Sequence, residues 1–290
     1  YDLSSPLARF VAQNNQDLPS IFKRYAIQNV FRNEKAGNAR YREFTQADCD
    51  IVGNVNPAQA NAELCNLIAS TLINCGIKKD QFIINVSNRK IIQGLIQDLK
   101  IPEEKQVKVM RAIDKLDKPG FGLKGVEDLL KKERVDQSGA ITIGANLNAD
   151  QSSKIIDFIK IRDIEQLKQK IDNPLSNEGI KEVEELFEVL SYGKYRDQVK
   201  FNSSIVRGMD MYTGCVIETN LKFEVKNSKG KVIDPGAVCS GGEYFISKFK
   251  GEPFRGTGIS IGIDRLVFCL SQGNNIKSEE KKPILVCMIE

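Results

Sequence analysis

Phe31-Arg32-Asn33-Glu34-Lys35-Ala36-Gly37-Asn38-Ala39-Arg40-Tyr41-Arg42-Glu43-Phe44-Thr45-Gln46-Ala47-Asp48-Cys49-Asp50 sets two alternating segments around a polar Gly/Asn turn. The pattern predicts a β-hairpin that carries Arg32, Arg40 and Arg42 around its loop. Side chains alternate across a strand, so Arg40, Arg42, Phe44, Gln46, Asp48 and Asp50 are expected on one face. Cations at one end of that face and carboxylates at the other are badly placed for a core. They suit a ligand that is anionic at one end and cationic at the other, such as a triphosphate beside an ammonium group. With the hairpin taken alone, cross-strand ion pairs on a solvated face, worth about a few tenths of a kcal/mol each, explain the same residues equally well.

Composition narrows the chemistry. The chain has 290 residues, 41% of them hydrophobic, enough for one large or two moderate domains. A net charge of +4 permits an anionic partner without requiring one. There is no His, which removes Ser-His-Asp triads, Cys-His dyads and the commonest metal ligand together. Catalysis then has to rest on Arg, Lys, carboxylates, Tyr or a bound ion. The cysteines (Cys49, Cys65, Cys75, Cys215, Cys239, Cys269, Cys287) stand at long spacings with no Cys-x-x-Cys pair, which predicts reduced and mostly buried thiols. No run approaches the roughly 18 apolar residues of a membrane helix, and Tyr1-Asp2 opens no leader-like pattern. No membrane association and a cytoplasmic location are expected.

Around the hairpin, residues 1–87 mix strand and helix patterns. Ala60, Leu64, Leu67, Ile68 and Leu72 fall at helical spacing within 56–75, 82–86 reads as a short buried strand, and Asn88 leads into an apolar-periodic run through Leu99. Residues 88–195 turn rich in Lys, Glu and Asp, with helices predicted over 103–115, 126–132, 151–158 and 178–190 and little that reads as strand. This is expected to be a helical insertion whose charge runs are solvated faces. In 196–280 the β signal returns at 205–207, 215–218 and 222–225, the last followed by a turn at 227–230. Residues 281–290 read as the opening strand of a further domain.

Two further constellations carry chemistry. In Val206-Arg207-Gly208-Met209-Asp210-Met211-Tyr212-Thr213-Gly214, glycines flank a single Arg and imply close backbone approach to whatever lies beneath it. A bulged strand with a structural ion pair fits the same residues. In the stretch from Gly256 to Arg265, Gly258 and Gly262 would let a flat ring lie on the backbone while Arg265 projects toward phosphate. It has neither the Lys-Ser/Thr of a P-loop nor the GxGxxG of a dinucleotide site, and spaced glycines alone carry little.

Taken in order, these segments resemble the signature motifs of class II aminoacyl-tRNA synthetases. Arg32-x-Glu34, the turn, and Arg40-x-Arg42-Glu43-Phe44-x-Gln46-x-Asp48 look like motif 2, and Gly258-x-x-x-Gly262-x-Asp264-Arg265-Leu266 looks like motif 3. Arg207-Gly208-Met209-Asp210-Met211-Tyr212 is similar to a segment particular to the histidyl-tRNA synthetase family, and Tyr1-Asp2-Leu3-Ser4-Ser5-Pro6-Leu7-Ala8-Arg9 to its substrate-binding segment upstream of motif 2. The resemblance spans nearly the whole chain and implies an α+β fold: a mostly antiparallel six-stranded sheet flanked by helices, with a helical insertion. It implies ATP-dependent activation of histidine to histidyl-adenylate and transfer to tRNA(His), by a homodimer and with Mg2+ accompanying the ATP. Arg32 and Arg265 would hold the α and γ phosphates, Arg40 the tail phosphates and Glu34 the adenine amino group. Arg207 would stabilise charge at the α phosphate. Asp2, Ser4 and Gln46 would take the α-ammonium, Asp50 and Tyr212 would reach the imidazole nitrogens, and Tyr244 would close the pocket. The metal ligands are not legible.

The chain departs from the family in two places. Met211 stands where Tyr is usual, and Gly241-Gly242-Glu243-Tyr244-Phe245 replaces a Gly-Gly-Arg-Tyr-Asp loop and is shorter. The family's dimer-forming motif 1 lies upstream of Tyr1. The rival reading is the synthetase-like regulatory subunit of ATP phosphoribosyltransferase, which keeps the fold without aminoacylating. That paralogue usually lacks an Asp at the place of Asp210 and part of the ATP-binding Arg set, whereas Arg32, Arg40, Arg207, Asp210 and Arg265 are all present here.

Overall fold

The hairpin forms, as β1 (Ile21–Phe31) and β2 (Glu43–Gly53), paired antiparallel from Ile21 opposite Gly53 to Phe31 opposite Glu43. The computed structural model describes residues 1–118, 120–135, 141–206, 211–227, 229–246 and 254–272. Helix α1 (Ser4–Asn14) precedes the hairpin, and α2 (Pro57–Asn74) and β3 (Phe82–Asn88) follow it. Next come α3 (Arg89–Asp98), α4 (Glu103–Ile113), α5 (Gly122–Lys131), a ribbon of β4 (Arg134–Val135) and β5 (Ile141–Thr142), then α6 (Ala149–Ile159), α7 (Ile164–Lys170) and α8 (Pro174–Ser191). The chain returns through β6 (Val199–Phe201) and β7 (Tyr212–Leu221), a ribbon of β8 (Val225–Lys226) and β9 (Val232–Ile233), and β10 (Cys239–Ile246), β11 (Phe254–Gly262) and α9 (Ile263–Gln272).

The expected six-stranded sheet is corrected to a mixed sheet with seven strands among the described residues, ordered β1-β2-β11-β10-β7-β3-β6. The added strand is β6, which runs parallel to β3. Its three residues are too short to show a period-2 pattern, yet Val199 and Phe201 are both buried. Parallel pairing follows from the connection, because a chain that leaves β3 through a long helical crossover can re-enter pointing the same way. Of the strand expected at 205–207, residues 205 and 206 lie in no strand and 207 is outside the described residues. Asn202 Oδ1 accepts from Ser204 N–H at 3.0 Å and Ile205 N–H bonds back to Asn202 at 3.2 Å, a turn that ends the sheet before Ile205. The signal at 222–225 is displaced as well, with β7 running on to Leu221 and pairing resuming only at Val225.

Helix α2 begins where Asn56 Oδ1 caps Gln59 N–H at 3.1 Å and Pro57 pre-sets the first turn. Its Leu64, Ile68 and Leu72 pack with Leu186 and Leu190 of α8, Leu266 and Leu270 of α9, and Ile84, Ile217, Ile259 and Ile261 of the sheet. That core covers one sheet face. A second core gathers Val109, Ile113, Leu129, Ile155 and Leu167 of the crossover helices and joins Ile91, Val183 and Phe201 beside the sheet. Among the described residues the opposite sheet face is partly open, with α1 laid over one end through Leu7 and Val11 against Val52, Tyr244 and Ile246, and Ile205 packed on Tyr212 and Val216.

Candidate active site

The open face is built by register. Gln46, Asp48 and Asp50 of β2 lie opposite Gly262, Ser260 and Gly258 of β11, and Ser260 lies opposite Ser240 of β10. Gln46, Asp48 and Asp50 are buried on this face, whereas Arg40 and Arg42 are exposed and precede β2. Alternation therefore does not carry across the loop as expected. The Gly37–Arg40 turn, with Ala39 at φ 56°, breaks it.

At the deep end, the Tyr244 hydroxyl donates to Asp50 Oδ1 and Arg24 of β1, directly opposite Asp50, forms an ion pair with its Oδ2 at 2.9 Å. Arg24 also donates to the Leu3 carbonyl at 3.0 Å, tying the N-terminal segment to the same carboxylate. Burial pushes the Asp50 carboxyl up to about 6, with Arg24 and Tyr244 pulling downward and Asp48 adding to the rise. Gly258 serves this carboxylate and not a ligand ring, since a Cβ there would collide with the Asp50 side chain. The segment 241–245, expected as a loop, is instead part of β10, paired with both β7 and β11. Tyr244 and Glu243 consequently face opposite sides of the sheet. Tyr244 turns to Asp50, while Glu243 accepts from Asn61 of α2 at 2.6 Å.

At the outer end the arginines are held by neutral acceptors. Arg32 Nε donates to the Tyr1 carbonyl at 3.1 Å, and its guanidinium lies over the rings of Tyr1 and Phe44 at 4.9 and 5.1 Å. Arg265 donates to the Ala237 carbonyl at 2.6 Å and the Ala39 carbonyl at 3.3 Å. Burial, then the neighbouring Arg40, lower its pKa. Arg42 Nε braces the loop from the Glu34 carbonyl at 3.2 Å, and Thr45 N–H donates to Asp264 at 2.6 Å. Between the two ends Gln46 donates to Ser260 Oγ at 2.6 Å.

Two neighbouring cavities result. Arg32, Glu34, Arg40, Gln46, Asp264 and Arg265 line the outer one, of about 140 Å³, and Ser4, Asp48, Asp50, Tyr212 and Tyr244 line the inner one, of about 30 Å³. Ser240 and Ser260 border both. Of the expected residues, Gln46 thus sits with the arginines. Asp2 lines neither cavity, because its Oδ1 caps α1 by accepting from Ser5 N–H at 2.8 Å. Arg207 and Asp210 lie outside the described residues, as does 281–290. Just before the first of these, Arg89 donates to the Val206 carbonyl at 3.0 Å.

Sequence reasoning missed Arg24, Ser240 and Ser260, and quoted Asp48 without giving it a role. Arg24 could have been found by extending the period-2 rule to β1, whose Phe22, Arg24, Ala26 and Val30 are its less exposed positions. Among the described residues no group of three or more carboxylates or cysteines is arranged to hold a metal ion, and no helix is long and apolar enough to cross a membrane.

An arginine-lined cleft and a carboxylate-lined cavity side by side on an open, largely antiparallel sheet, between motif-2-like and motif-3-like segments, define a class II aminoacyl-tRNA synthetase core. The family model described as histidyl-tRNA synthetase matches residues 1–266, and the chain belongs to that family. It is 65% identical over 292 residues to the histidine–tRNA ligase of Pelagibacter ubique (strain HTCC1062), covering 100% of this chain and 63% of the relative. The histidine–tRNA ligase of Ruegeria pomeroyi (strain ATCC 700808 / DSM 15171 / DSS-3) is 38% identical over 301 residues, covering 100% of this chain and 60% of that relative. Among solved structures, histidyl-tRNA synthetase from Nostoc sp. PCC 7120 superposes with a TM-score of 0.75 at 28% identity, covering 96% of this chain and 60% of that one. The chain therefore spans about three fifths of the length of the relatives it matches.

Proposed function

We propose that the chain is the catalytic core for ATP-dependent activation of histidine and its transfer to tRNA(His). The observation that carries this reading is the adjacency of the two cavities across Ser240 and Ser260, which sets an anion-binding cleft against a cation-binding one. In this reading Arg32, Arg40 and Arg265 hold the phosphates of ATP and Glu34 the adenine. Ser4, Asp50, Tyr212 and Tyr244 hold histidine, with Gln46 at the junction and Asp2 shaping the rim through α1. The histidine carboxylate attacks the α phosphorus in line, the bond from that phosphorus to the α,β-bridging oxygen breaks, and pyrophosphate leaves with that oxygen. Arg207 and Arg265 stabilise the charge that develops. A carboxylate is already a nucleophile, so no general base is needed and a chain without His loses nothing; positioning and electrostatics supply the rate.

A divalent ion such as Mg2+ would neutralise phosphate charge, and its ligands would come chiefly from the phosphates and water. Residues 88–195 act as a helical insertion between the two halves of the catalytic domain, residues 1–87 and 196–280. A homodimer in the cytoplasm completes the reading. A regulatory, non-aminoacylating role is disfavoured by the retained set Arg32, Arg40 and Arg265. The test is histidine-dependent exchange of pyrophosphate into ATP by the full-length protein. Exchange with histidine alone among the amino acids, reduced by roughly 10²-fold or more in Arg207→Ala, is the expected result. A folded protein that shows no exchange overturns it.

A further inference from the structure

Asp48 stands midway along the site face of β2, between Gln46 and Asp50, and is 5% exposed. Ser260, opposite it on β11, hydrogen-bonds its carboxylate. Its Oδ1 is buried without any hydrogen-bond partner, and the residue lines the inner cavity. A buried carboxylate oxygen left in that state is costly unless something else supplies a donor.

The surrounding charges say what kind of donor. Two carboxylates, Asp48 and Asp50, line the inner cavity, and the cation nearest them, Arg24, is committed to Asp50 and to the Leu3 carbonyl. Arg24 and Arg32 draw the Asp48 carboxyl downward from a distance, Asp2 pushes it up, and burial outweighs them all. The cavity is therefore short of one positive charge, at Asp48. Of the other acceptors an ammonium could use, Asp2 Oδ1 already accepts from Ser5 N–H and the Gln46 amide oxygen from Arg32 at 3.5 Å, whereas Asp48 Oδ1 accepts from nothing.

Position along the strand identifies the cation. At about 3.3 Å per residue, Asp48 lies roughly 7 Å from Gln46 at the phosphate end and as far from Asp50 at the deep end. An amino acid laid along β2, with its carboxylate toward the arginines and its side chain toward Asp50, brings its α-ammonium to the middle. We propose that Asp48 binds the α-ammonium of the substrate, with Arg24 as the positioning residue that neutralises Asp50 and leaves Asp48 as the uncompensated charge. This rests on the reading that the inner cavity holds histidine.

The test compares two ligands on the full-length protein by calorimetry. L-histidinol keeps the ammonium and lacks the carboxylate; imidazolepropionate keeps the carboxylate and lacks the ammonium. Asp48→Asn should weaken histidinol by about 30-fold or more while leaving imidazolepropionate within about threefold. Equal weakening of both ligands, or of neither, overturns the proposal while the histidine reading stands. If the unmodified protein binds neither ligand nor histidine, the reading and the proposal fail together. Should Asp48→Asn not fold, Asp48→Ser, small enough for the site and able to keep a bond to Ser260, answers the same question.

Discussion

The two cavities hold their charges in opposite ways. In the outer cleft the cations rest on neutral groups, Arg265 on the Ala237 and Ala39 carbonyls and Arg32 on the Tyr1 carbonyl and two aromatic rings. In the inner cavity charge meets charge, with Arg24 and the Tyr244 hydroxyl both on Asp50. A cation oriented by carbonyls keeps its full charge available for a ligand, whereas a cation paired with a carboxylate has spent most of it. The outer cleft is thus built for strong attraction of a polyanion, and the inner cavity for discrimination by a small residual charge and fixed hydrogen-bond geometry.

The largest effect should come from the outer cleft. Arg265→Ala should lower pyrophosphate exchange by about 10²–10³-fold, and Arg265→Lys should recover little, because one ammonium cannot reproduce a fork held by two carbonyls. Recovery by Lys to near the original rate would break the contrast, since charge alone would then suffice.

A smaller effect tests the inner cavity. Burial lifts the Asp50 carboxyl from 3.8 to about 6, so the folded protein holds a proton there that the unfolded chain has already released. Stability from this group consequently falls as pH rises from about 4 to about 6 and is level above, a loss of ~3 kcal/mol at most. Asp50→Asn should remove that slope, so its urea unfolding free energy relative to the unmodified protein should increase between pH 4.5 and pH 7. A difference that stays flat would mean Arg24 compensates Asp50 fully.

The smallest effect lies in the helical segment. Lys154 pairs with Asp150 at 2.9 Å with both side chains more than half exposed. Lys154→Ala should leave both the urea midpoint and the exchange rate within experimental error, and a change in either would give this surface a role that its solvation denies.

The same contrast explains what was legible beforehand. The hairpin, α2 and most crossover helices could be read because their apolar residues repeat within one element at 2 or 3.6 residues. The outer arginines could be read because they cluster around one turn. By contrast β6 is too short to repeat, and β10 was masked by Gly241-Gly242, which reads as a loop until strands on both sides satisfy its backbone. Arg24 and Ser260 were invisible for a related reason. Their partners are set by register with strands 26 and 212 residues away in sequence, and no local pattern reports that.

Ala39 gives that distance a temporal meaning. Its carbonyl, at the tip of the hairpin loop, is bound by Arg265, 226 residues later, and Thr45 and Gln46 likewise wait for Asp264 and Ser260. At about 5–20 residues per second of synthesis, the hairpin precedes its partners by roughly 10–45 s. During that interval β2 lacks its β11 neighbour and presents an unpaired edge, the kind of surface that invites pairing with another chain. On its site face it shows Gln46, Asp48 and Asp50 meanwhile, which water satisfies readily. The residues that later form the site thus also put polar and charged groups on the nascent edge, the feature by which edge strands discourage such pairing.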